Sequence, residues 1–111
     1  MAFESAQPQP VGGVVFFERR ELDALMRLYG RMVAAGEWRD YGIAGLAESA
    51  VFSVFRHASE DALYRIEKRP ALARKQGAWA VIARGGLIMK RGHELAQVLK
   101  VFEKGKFSVV D

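Results

Sequence analysis

The change of hydrophobic period after residue 35 constrains this fold more than any other feature of the sequence. Leu22, Leu25, Met26, Tyr29, Met32 and Val33 recur at intervals of three and four, which puts them on one stripe of a helix over residues 19–35. Glu18, Glu21 and Asp23 lie near its start, where the helix dipole favours negative charge. Gly36 suits the left-handed residue that ends a helix. Gly30 costs about 1 kcal/mol against alanine in a helix interior, so it is expected to mark a close approach by another backbone.

Beyond Gly36 the period falls to two. Residues 40–46 alternate weakly, with Tyr41, Ile43 and Gly45 against Gly42, Ala44 and Leu46. Residues 50–57 alternate with large apolar groups on both sides, Val51 and Phe55 against Phe52 and Val54. Ser59, Glu60 and Asp61 supply turn residues, and residues 62–68 return as an antiparallel strand. Pro70 opens and Gly77 closes a short helix over residues 71–76. Residues 78–84 and 87–90 flank Gly85-Gly86, a two-residue loop able to take the positive φ of a type I′ turn. That register puts Ala80, Ile82 and Arg84 on one face with Leu87, Met89 and Arg91, and Trp79, Val81 and Ala83 on the other with Ile88 and Lys90.

Two further stretches complete the chain. Residues 14–17 read as a first strand, and residues 93–103 as a second amphipathic helix with Leu95, Val98, Leu99 and Phe102 on one stripe. Residues 106–111 would add a short edge strand or fray, and residues 1–13, with two of the three prolines and the Gly12-Gly13 pair, read as a flexible tail. The expectation is a single domain over residues 14–111 of the α+β class. In it, a mainly antiparallel, twisted sheet of four to six short strands packs with two amphipathic helices in the order β-α-β-β-β-(short helix)-β-β-α. Because both sheet faces carry apolar groups, both need covers. Should the two helices share one face, the other is expected to seat a second copy of the chain.

Composition excludes several functions. A chain of 111 residues, 50% hydrophobic and 27% charged, can bury one core. It has no cysteine, hence no disulfide, thiolate metal site or cysteine nucleophile. No apolar run approaches the roughly 18 residues that span a bilayer, and the start lacks the pattern of a signal peptide, so a cytoplasmic protein without membrane contact is expected. His57 and His93, far apart and without an orienting carboxylate and nucleophile, define neither a catalytic nor a metal site. The Gly85-Gly86 and Gly92 stretch lacks the remaining residues of a phosphate-cradling or dinucleotide-binding loop. No cofactor is expected.

Charge is distributed unevenly. Between residues 65 and 91 stand Arg65, Lys68, Arg69, Arg74, Lys75, Arg84, Lys90 and Arg91 against the single acid Glu67, whereas residues 1–64 are net acidic. The formal charge of +4 therefore comes from one segment. Neutralising phosphates with such residues releases counterions and needs no base reading, and Tyr64 and Trp79 lie nearby for stacking. Arg65, Lys68, Arg69, Arg74, Lys75, Trp79, Lys90 and Arg91 are thus the candidate contacts for nucleic acid or an acidic protein; the alternative is a solvated face. Trp38, Arg39 and Tyr41 form a second candidate, an interaction patch or a structural corner. The functional expectation is a non-enzymatic binding or adaptor domain, with a homodimerising interaction module as the alternative.

The blocks FFERRELDALMRLYGRMVAAGEWRDYGIAGL, AVFSVFRHASEDALYRIEKRPALARKQGAWAV and GGLIMKRGHELAQVLKVFEK resemble a family of short bacterial proteins known only as a domain of unknown function. The resemblance spans residues 15–104. It implies a small cytoplasmic bacterial domain and carries over no site residue.

Overall fold

A computed structural model describes residues 13–57 and 61–103 of the chain. The first element is helix α1, Arg19–Ala34, which buries Leu25 of the stripe read from the sequence and also Leu28, which that stripe omitted. At its start the Glu18 N–H donates to Glu21 Oε1 at 2.8 Å, satisfying a backbone donor that the helix leaves without a partner. Its end is sealed by Gly36 at φ +80°, with the Gly36 N–H bonded to Val33 O. Gly30 is exposed and nothing lies within 4 Å of where a Cβ would stand, so the expected close backbone approach is absent.

Five strands follow: β1, Asp40–Gly45; β2, Ala50–Phe55; β3, Tyr64–Lys68; β4, Trp79–Ala83; and β5, Ile88–Gly92. They form one antiparallel sheet in the order β1-β2-β3-β4-β5, each strand beside its neighbour in sequence. Helix α2, Leu95–Leu99, comes last and buries Leu95 and Val98. The α+β class and the antiparallel sheet are as expected from the alternation.

Three local expectations are corrected. Residues 14–17 form no strand: they run extended, tied to the end of β1 by the bond from Val15 N–H to Leu46 O, with Val15 and Phe17 turned into the core. Period-two burial is thus kept without a ladder. The β3–β4 connection holds only a 3-10 turn, Pro70–Leu72, followed by further turns up to Gly77, which at φ +106° lies against the Gly92 backbone. The β4–β5 hairpin has both glycines at positive φ, +88° and +92°, yet the closing bond runs from Ala83 N–H to Leu87 O across three residues, Arg84, Gly85 and Gly86.

That third residue matters beyond the turn. Val81 pairs with Lys90 but Ile82 pairs with Ile88, so Met89 is an extra residue that bulges the edge strand. Ile88 therefore joins the face of Ile82 rather than that of Trp79 and Val81. The expected strand at residues 106–111 and the tail before residue 13 lie outside the described residues.

Both helices pack on the same side of the sheet. Tyr41, Phe52, Val54, Tyr64, Ile66, Trp79 and Val81 share this side by register, and the buried members of the set form one core with Leu25 and Leu28 of α1 and with Leu95, Val98 and Phe102 at α2. Aromatic edges knit the layers: Tyr29 of α1 meets Tyr41 at 4.9 Å, and Phe102 meets Trp38 at 5.2 Å and Tyr64 at 5.0 Å. On the opposite face lie Val51, Ser53, Phe55, Arg65, Glu67, Ala80, Ile82, Ile88 and Arg91, over which no described helix packs.

Candidate functional site

The basic residues read from the sequence separate into three environments. Lys68 lies on the helix-covered face, where its Nζ donates to Glu21 Oε1 at 2.7 Å and Phe16 O at 3.0 Å and stands 5.9 Å from the Trp79 ring. Trp79 is 6% exposed and stacked on Phe17 at 6.2 Å. Neither presents its group to a ligand: the lysine pins the entry of α1 to the sheet, and the indole ring is core.

A second group surrounds the loop between β3 and β4. Arg69 begins it, bonded through its N–H to Ala78 O and ion-paired through its guanidinium to Glu67 at 3.1 Å and Glu48 at 3.5 Å. Arg74 and Lys75 ride on the turns exposed. The next-but-one strand closes in from the side, with Arg91 Nη1 at 3.4 Å from Gly77 O and His93 Nδ1 at 3.1 Å from Ala73 O. Arg69, Arg74, Lys75 and Arg91 therefore meet at one end of the sheet, although sequence distance separates the last of them.

The third group is dispersed. Lys90 shares the face of Val81, opposite to its neighbour Arg91, because successive strand residues point apart. Arg65 stands on the open face between Ser53 and Ile82, in a row that Ile88 extends. Arg84, at the hairpin, donates to Asp61 O at 3.2 Å. The second candidate patch also divides: Trp38 is 2% exposed and belongs to the core, Tyr41 packs on Phe52 and Tyr29, and Arg39 is exposed.

The open face mixes these charges with apolar groups. Val51, Phe55 and Ile82 are half-buried, and the edge strand with its turn exposes Leu87, Ile88 and Met89. Ala80 is fully buried there, between Glu67 and Arg91 across the strands. Such a surface can bind by apolar contact and by charge together. Among the described residues, no group of three or more histidine, aspartate and glutamate side chains is placed to hold a metal. Nor is any described helix long and apolar enough to cross a membrane.

Residues 15–99 match the family described as "Protein of unknown function (DUF2794)". The chain belongs to that family. No curated protein and no solved structure matches it. The DUF2794 match covers α1, all five strands and α2, so the sheet with its open face and the basic loop are both within the family's own span.

One feature escaped the sequence reading. A recess of about 430 Å³ lies past the end of α1, lined by Val33, Gly36, Trp38, Arg39, Arg56 and His57. Its basic residues come from two segments that only the β1–β2 pairing brings together. A signal was present, since Trp38-Arg39 and Arg56-His57 flank the two strand ends, but it acquires meaning only with the register.

Proposed function

We propose that this protein is a non-enzymatic, cytoplasmic binding domain that engages a polyanion, nucleic acid being the concrete case, through the β3–β4 loop and the adjoining open face. The observation that carries the reading is the convergence of Arg69, Arg74, Lys75 and Arg91 on one loop, two of them exposed on its turns. Arg65 and Arg91 extend the positive charge onto the sheet, and guanidinium groups suit phosphate oxygens geometrically. Binding of this kind is dominated by counterion release. Labelled single-stranded RNA or DNA should be retained in a gel shift at low salt, with affinity falling steeply as salt rises. Replacing Arg74, Lys75 and Arg91 together by glutamine should abolish retention, and an unchanged shift would overturn the reading.

A second reading rests on a separate observation. Both helices cover one face of the sheet, which leaves Val51, Phe55, Ile82 and Ile88 on the other. In this reading the open face is a homodimer interface. Light scattering across a dilution series should then give a dimer that Ile82→Glu converts to monomer; a monomer at all concentrations removes it.

A further inference from the structure

We propose that the recess at the C-terminal end of α1 binds a small organic anion, one phosphate or carboxylate group on a compact apolar body, held by Arg39, Arg56 and His57. The recess is far from the basic loop: Glu21 at the start of α1 meets Lys68 at the loop's end of the sheet, whereas Tyr29, two turns on, meets Tyr41 at the other. It therefore stands independently of the polyanion reading.

Three observations point to an anion. Among the described residues, every ionisable side chain lining the recess is basic, and the other lining residues are Val33, Gly36 and Trp38. The bond from the Arg39 N–H to Phe55 O ties the start of β1 to the end of β2, so that Arg39 and Arg56 line the same recess. Neither guanidinium has a carboxylate partner among the described residues, in contrast to Arg69 and Lys68, which are both ion-paired. Neighbouring cations without a counter-charge repel, and an oxyanion accepting from both relieves that repulsion. Asp40, the nearest acid in sequence to Arg39, turns one oxygen back onto the Tyr41 N–H at 2.8 Å.

The helix end does not oppose this. A helix C-terminus normally presents unpaired carbonyls that repel anions. Here Arg31 O, Met32 O and Val33 O accept from the N–H groups of Ala35, Gly36, Glu37 and Trp38. The last turn is thus largely satisfied by the chain's own reversal. Gly36, at φ +80° and without a side chain, leaves the mouth clear, since nothing lies within 4 Å of its missing Cβ. The volume of about 430 Å³ falls within the range of small-molecule sites and suits a single ring or short chain behind the charged group.

The test is a titration of the full ¹⁵N-labelled chain with phenyl phosphate, with benzoate and inorganic phosphate as parallel arms. Phenyl phosphate or benzoate should give saturable shifts confined to residues 33–41 and 55–57, with inorganic phosphate weaker by about tenfold or more for want of apolar contact. Arg39→Gln and Arg56→Gln, both at exposed positions, should each weaken binding about tenfold while leaving the dispersed spectrum intact. Arg74→Gln with Lys75→Gln should leave it unchanged. The proposal is overturned by shifts that fail to saturate, by equal binding of inorganic phosphate and phenyl phosphate, or by equal weakening from the loop substitutions.

Discussion

Phe52 and Phe55 stand three residues apart on β2 and face opposite sides of the sheet, and their surroundings differ completely. Phe52 is wholly buried beneath the helices and stacked on Tyr41, while Phe55 is half-buried on a face that no described helix covers. The same contrast separates two cations of β3. Lys68 is locked onto Glu21 and the Phe16 carbonyl, whereas Arg65 has no ionic partner among the described residues. One face has been committed to stability. The other keeps apolar and cationic groups together at the surface.

The largest test of this contrast is truncation of the two phenylalanines. Phe52→Ala should cost about 3–5 kcal/mol in denaturant unfolding, because it leaves a cavity under α1 and α2, and Phe55→Ala should cost well under half of that. Comparable losses at both would mean that the open face is covered in solution. Next in size, Lys68→Met should destabilise by about 1–3 kcal/mol, since it strips the cationic partner from a Glu21 carboxylate only 19% exposed and leaves it, among the described residues, the Glu18 N–H alone. Arg65→Met on the open face should stay within about 0.5 kcal/mol by the same measurement. Gly30→Ala sharpens the picture of α1: with open space at its Cβ position and an exposed site, it should stabilise by about 1 kcal/mol, seen as a raised Tm. A loss would restore the close approach that the glycine first suggested.

The smallest effect is one of pH. Desolvation by burial raises the Tyr29 phenol above its ordinary value, with Asp40 and Tyr41 adding to the shift. The folded state therefore holds this proton more tightly than the unfolded chain. Its contribution to stability is complete below the ordinary tyrosine value of about 10 and is lost as pH rises from there through the folded value. Urea unfolding between pH 9 and about 11 should show that loss in the wild type and less of it in Tyr29→Phe.

Much of this was legible because periodicity is a local property. The stripe from Leu22 to Val33 gave α1 within a residue of its observed end, and alternation gave five strands near their observed places. Glycine chemistry located the β4–β5 turn. It did not give the turn's length, and so the bulge at Met89 reversed the face assigned to Ile88. The basic segment was visible as charge, but its division was not. Lys68 faces the covered side because Lys68 and Trp79 are register partners, while Arg91 reaches the β3–β4 loop because β5 returns beside it.

By itself, then, the sequence determined the α+β class, the long helix, the antiparallel hairpins and the concentration of positive charge after residue 64. These follow from spacing and composition along a single stretch of chain. Only the tertiary structure decided that both helices share one face and that Arg69, Arg74, Lys75 and Arg91 converge on one loop. It also decided that Arg39, Arg56 and His57 line one recess. The physical reason is that sheet register and helix docking are set by long-range packing, which joins residues that no local pattern connects.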